Sequence, residues 1–183
     1  MKLFLRSILC CAVLCAFFSN AKAQQGFLVN SKNDTLKGEF KKQFIGFYKF
    51  KPEGSNKFSK INIDSTKELF VAEKSINYLA KYRPELNEPE FLLRLEKGKI
   101  NLVQYYYAYG NNNYTLIWYA YKGEGPLLEI KSNQIFGTRK ERKEHFFDLI
   151  GDNVLLTDQF KMNDSYSFDT IRAYIKSYNS SNK

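Results

Sequence analysis

The chain has 183 residues, a formal net charge of +9, three cysteines and a single histidine, His145. Cys10, Cys11 and Cys15 all fall within the first 23 residues. Beyond residue 23, these numbers exclude a disulfide scaffold, a thiol nucleophile, a cysteine-ligated metal and a multi-histidine metal centre.

Lys2 and Arg6 precede an apolar run from Ile8 to Phe18, and Ala21-Lys22-Ala23 forms an A-x-A cleavage site. This is the pattern of a cleaved secretory signal, and it predicts a mature chain starting at Gln24. The run is too short to span a bilayer, and no other stretch is long enough to do so. Leu9, Cys10 and Leu14 precede the three cysteines where a lipid-modified cysteine would need a small residue. The expectation is a soluble exported protein, periplasmic or extracellular. Loss of Lys2, Arg6 and Lys22 lowers the charge to +6. A charge of that size reads first as solubilising surface and only weakly favours an anionic partner such as an acidic glycan, a lipid head group or nucleic acid; nucleic acid is not the expected partner.

Thirteen Phe, thirteen Tyr and Trp118 remain after residue 23, a composition suited to strands. Gly26–Asn30 and Thr35–Phe40 flank the turn residues Ser31-Lys32-Asn33-Asp34, which predicts a hairpin. Gln43–Lys51 reads as a third strand, broken at Pro52-Glu53-Gly54, and Phe58–Ile63 as a fourth. Ser65-Thr66-Lys67-Glu68 has the form of a capping box opening a helical turn, while Leu69-Phe70-Val71 suits a strand. Ile76–Tyr82 is a strand ended by Pro84, and Pro84–Glu90 reads as an acidic loop. Phe91–Glu96, Ile100–Tyr109, Tyr114–Tyr121 and Leu127–Lys131 are then separated by Gly- and Asn-rich turns, the pattern of an antiparallel meander.

After Ser132 the period changes. Thr138 is the N-cap of a capping box with Glu141, predicting a helix over Arg139–Ile150, with Gly151 as a left-handed stop. Asn153–Phe160 is a second helical segment. Ser167 caps a third, whose stripe Phe168, Ile171, Tyr174, Ile175 and Tyr178 is the most regular in the chain. The expected fold is α+β: an antiparallel meander of about seven to nine strands, then two or three C-terminal helices packed on the sheet. One domain covers 24–179, and 180–183 is expected to fray.

Gly26-Phe27-Leu28-Val29 followed by Asn33-Asp34-Thr35-Leu36-Lys37-Gly38 resembles a G-D-T-x-K-G motif. That motif opens a family of secreted Bacteroidota proteins of unknown function, with Asn33 standing where the family usually has glycine. Looser likenesses are Gly98-Lys99-Ile100-Asn101-Leu102 and the C-terminal Tyr166, Ile171 and Tyr178-Asn179. The resemblance implies bacterial export and a β-rich body, and supplies no functional residues.

Nucleotide, zinc-protease, serine-hydrolase and calcium-loop motifs are absent, so no cofactor or metal is expected. Tyr105, Tyr107 and Tyr109 alternate on one face of a strand, and Trp118 lies on the next. These four are the candidate ligand contacts, since aromatic platforms stack on sugar faces. The competing reading buries them as core. Arg139-Lys140-Glu141-Arg142-Lys143 reads as a solvated helix surface and His145 as a boundary residue. Glu85, Glu88 and Glu90 crowd the acidic loop without showing the paired geometry of a glycosidase. The leading expectation is a non-enzymatic binding domain with a glycan or another envelope protein as partner. A carboxylate-dependent hydrolase and a structural envelope subunit are the rivals.

Overall fold

The computed structural model describes residues 25–43, 47–110, 113–135, 137–163 and 165–181. The expected signal at 1–23, and residues 44–46 of the expected third strand, lie outside the described residues. Among the described residues, ten strands precede three helices. The strands are β1 (Gly26–Asn30), β2 (Thr35–Lys42), β3 (Tyr48–Pro52), β4 (Ser59–Lys60), β5 (Thr66–Val71), β6 (Ile76–Arg83), β7 (Glu88–Glu96), β8 (Ile100–Ala108), β9 (Tyr114–Lys122) and β10 (Leu128–Ser132). The helices are α1 (Arg139–Ile150), α2 (Val154–Lys161) and α3 (Phe168–Ser181).

All strands join one antiparallel sheet in the order β10-β9-β8-β7-β6-β5-β1-β2-β3-β4. The α+β architecture is the expected one, but the sheet is two meanders rather than one. β1–β4 run in sequence order, and the chain then returns to pair β5 with the free edge of β1. β5 occupies the place of the predicted helical turn. The strand wins because it is paired on both sides and buries Leu69 and Val71, a tertiary gain that outweighs a local capping preference. A short 3₁₀ turn follows at Ala72–Lys74, closed by Ser75 at φ 52°. The acidic loop is also shorter than expected, since Glu88, Pro89 and Glu90 already belong to β7.

The helices cover one face of β8–β10. There Ile100, Leu102, Trp118, Ala120 and Ile130 meet Phe146, Leu149 and Ile150 of α1, Leu156 and Phe160 of α2, and the α3 stripe. Each large apolar side chain buried here contributes roughly 1.5–3 kcal/mol. Thr138 Oγ1 accepts from the Glu141 N–H at 3.1 Å, so α1 starts where its capping box places it. It does not end in a left-handed residue: Gly151 has φ −61°. The chain instead turns within two residues into Asn153, whose N–H bonds the Ile150 carbonyl and whose side chain caps α2. Ser180 and Ser181, expected in a frayed tail, form the last turn of α3, their hydroxyls bonded to the carbonyls of Lys176 and Tyr178. On the same face of the sheet, the β1–β5 half builds its own core from Leu28, Tyr48, Phe50, Leu69 and Val71, joined by Phe47 stacked 4.5 Å from Phe91.

Candidate functional site

Register decides which aromatics stand together. Gln104 lies opposite Trp118, Tyr105 opposite Ile117 and Tyr107 opposite Thr115. Because side chains alternate along a strand, Tyr105, Tyr107, Ile117 and Tyr119 share one face, and Gln104, Tyr106 and Trp118 share the other. The helices lie over the second face. Trp118 is therefore core: its ring sits 4.7 Å from Phe168, and its Nε1 donates to Gln104 Oε1 at 2.9 Å. Of the four candidate contacts, the fold separates Trp118 from the three tyrosines.

The tyrosine row runs from core to solvent. Tyr105 is half-buried, while Tyr107 and Tyr109 are 56% and 49% exposed. The rings of Tyr107 and Tyr109 stack with centroids 6.1 Å apart and planes at 23°. On the helix side of the same hairpin, Tyr106 and Tyr114 form a second exposed pair, 5.7 Å apart.

The Tyr105 face is concave. β7 and β8 lie between β6 and β9 in the sheet, yet side chains of β6 and β9 meet above them. Lys81 Nζ lies 4.4 Å from the Tyr121 ring centroid, and Arg83 Nε donates to Tyr119 Oη at 3.3 Å. Arg83 is 6% exposed and closes the β6 end of the hollow. It donates to Glu85 Oε1 from Nε and Nη2, at 3.0 and 2.5 Å, and its guanidinium lies 3.8 Å from the Tyr105 ring. The Tyr119 hydroxyl donates to the same Glu85 oxygen. Burial opposes ionisation of Glu85, but the hydrogen bonds from Tyr119 and Arg83 outweigh it and hold the carboxyl below its ordinary value. Burial and the bond to Glu85 push the Tyr119 phenol upward.

Opposite this cluster, α1 closes the hollow at the β10 edge. Arg142 Nε donates to Glu129 Oε1 at 2.5 Å. His145 Nδ1 lies 2.9 Å from the Glu129 carbonyl oxygen. A carbonyl only accepts, so Nδ1 carries the proton, and Nε2 of the neutral ring is an acceptor. The two clusters enclose a cleft of about 490 Å³, floored by Tyr105 and Ile117 and edged by Thr115, Ser132 and Gln134. The stacked Tyr107–Tyr109 pair extends from this floor along the same row.

Arg142 corrects one expectation. It belongs to the predicted solvated run but is 9% exposed. Its signal was present, because it lies four residues before Phe146 and seven before Leu149, on the buried stripe of α1. Arg83 and Glu129 carried no comparable signal, since only strand register brings them to the cleft. The acidic residues of the former loop separate. Glu85 faces the cleft, whereas Glu90, whose carboxyl burial pushes upward, lines a second hollow beside Phe47 and Phe91 that Tyr105 and Tyr107 also border. Among the described residues no group of three or more His, Cys, Asp or Glu is arranged to hold a metal. No helix among them is long and apolar enough to cross a membrane.

Comparison with protein-family models, with curated proteins and with solved structures gives no match.

Proposed function

We propose that this chain is an exported, non-enzymatic domain that binds a glycan on the Tyr105–Tyr109 face. The observation that carries the reading is the exposed Tyr107–Tyr109 pair, which shares a strand face with Tyr105, itself a residue of the cleft lining. The exposed ring surface of this pair supplies apolar area for the apolar face of a sugar. The mixed polar edges of the cleft supply orienting hydrogen bonds. Export rests on the signal pattern at residues 1–23.

The hydrolase rival needs two carboxylates across a cleft, one with its pKa raised to act as an acid. Glu85 and Glu129 do share a cleft, which keeps that rival in play geometrically. Both, however, are held by arginines, and the Glu85 carboxyl is driven down rather than up. That pairing favours a binding site over an acid-base pair.

The test is a calorimetric titration of the purified protein with neutral oligosaccharides. Tyr107→Ala and Tyr109→Ala lie at exposed positions and should leave the fold intact. Each should weaken binding by about tenfold, the scale of one lost aromatic stacking contact. Unchanged affinity in both variants would remove the tyrosine face from the account.

A further inference from the structure

The cleft behind Tyr105 has a charge of its own. The chain as a whole is basic, yet the charged groups lining the cleft are two arginines, Arg83 and Arg142, against three carboxylates, Glu85, Glu129 and Glu141. Two of those carboxylates are matched by the arginines, and Glu141 has no ion pair among the described residues. Counted over its arginines and carboxylates, the lining carries a net charge of −1, opposite in sign to the whole molecule.

Its hydrogen-bonding capacity is equally one-sided. Glu85 and Glu129 each place Oε1 on an arginine; the Glu85 carboxyl also accepts from its own backbone N–H, while Glu129 Oε2 makes no hydrogen bond among the described residues. His145 directs Nδ1 at the Glu129 carbonyl oxygen, so Nε2 is the ring nitrogen left for a ligand. Gln134 spends its Nε2 on Asn133 Oδ1, leaving its own Oε1 open. Spare acceptors therefore dominate the lining. Thr115 and Ser132 hydroxyls can turn either way. Arg83 Nη1 also keeps N–H donors that make no hydrogen bond among the described residues. A ligand that uses the spare acceptors brings donors, and the net charge of the lining disfavours an anion.

We propose that this cleft is an ammonium-recognising subsite, and that it seats the free amine of an amino sugar while the adjacent tyrosines carry neighbouring sugars. The proposal rests on the glycan reading above and specifies its ligand class. An ammonium brings three donors and one positive charge, and hydrogen bonds between charged partners are about twice as strong as neutral ones. N-acetylation removes the charge and two of the three donors. A uronic acid brings a charge of the wrong sign.

The experiment compares three oligosaccharides of equal length by calorimetry: a glucosamine oligomer, its fully N-acetylated counterpart and a uronic acid oligomer. The amine form should bind at least about tenfold more tightly than the acetylated form, the scale of one charge-assisted hydrogen bond, and the uronate should bind least. Glu141→Gln, at an exposed position, should reduce the amine preference without abolishing binding of the acetylated form. Equal affinity for amine and acetylated forms, with binding still lost in Tyr107→Ala, overturns the amine subsite and leaves the tyrosine platform standing. Tighter binding of the uronate also overturns it. No binding of any oligosaccharide overturns both readings, as does binding of an oligolysine control in place of the sugars.

Discussion

Asn179, near the end of α3, grips both backbone polar groups of Ile100 at the start of β8. Its Oδ1 accepts from the Ile100 N–H at 2.9 Å, and its Nδ2 donates to the Ile100 carbonyl at 2.8 Å. The carboxamide thus does for Ile100 what a neighbouring strand would do. Gly98 makes the approach possible, since a Cβ there would sit 2.4 Å from Asn179 Cγ. One side chain therefore ties the last helix to the sheet across 79 residues of sequence. Tyr178 strengthens the tie next door by donating to both carboxylate oxygens of Asp152, at 2.8 and 2.7 Å.

Asn179→Ala should cost about 1–3 kcal/mol, because it leaves two partly buried backbone groups unpaired. Gly98→Ala should also destabilise, by pushing the carboxamide away. The two losses should not add, since removing the Asn179 side chain removes the clash that Gly98→Ala creates. Urea unfolding of both single variants and the double variant measures the coupling. Strict additivity would show that Gly98 is required for some other reason.

Asp152 gives the stability a defined acid limb. Hydrogen bonds from Lys122 and Tyr178 lower its carboxyl from the usual carboxylate value to about 2. A carboxyl with a depressed folded-state pKa stabilises the protein above its unfolded pKa, and that contribution is lost as pH falls towards 2. The side chain is 49% exposed, so solvent screening limits the effect to about 1 kcal/mol or less. Asp152→Asn should therefore be less stable than the parent at pH 7. The gap should close between about pH 4 and pH 2 in chemical unfolding curves. A gap independent of pH would contradict this origin.

The basic run on α1 should divide sharply under mutation. Arg142→Ala removes a buried guanidinium and leaves Glu129 without its ion-pair partner, which should cost about 3–5 kcal/mol. Lys140→Ala, at an exposed position paired with Glu144 at 3.8 Å, should stay within about 0.5 kcal/mol. Thermal unfolding of the two variants tests whether the run is one solvated surface or a surface with one anchor in it.

Trp118 should be silent to any ligand on the tyrosine face. It is the single tryptophan, 6% exposed beneath Phe168 on the far side of the sheet. Its emission should be blue-shifted, resist acrylamide quenching and stay unchanged when a saccharide quenches tyrosine emission. A ligand-induced shift in Trp118 emission would mean that binding reaches the helix-covered face.

Much of this fold could be read from pattern. Turn residues placed most strand ends, and the stripe from Phe168 to Tyr178 placed α3, because burial follows period directly. The β5–β1 junction could not be read, since nothing local tells a returning strand which free edge to join. The site divides in the same way. Alternation grouped Tyr105, Tyr107 and Tyr109 correctly, but only the register of β8 against β9 put Trp118 on the opposite face. The Arg83–Glu85–Tyr119 cluster lay beyond sequence reasoning because its members meet across a concave sheet, with two strands between the outer pair.

The most direct measurement is an NMR titration of ring-labelled tyrosines with a glucosamine oligosaccharide. Binding at the proposed site should shift the resonances of Tyr105, Tyr107 and Tyr109 in a saturable, common curve and leave those of Tyr106 and Tyr114 in place. Shifts confined to Tyr106 and Tyr114, or none at all, would contradict the claim that the Tyr105–Tyr109 face is where this protein meets its ligand.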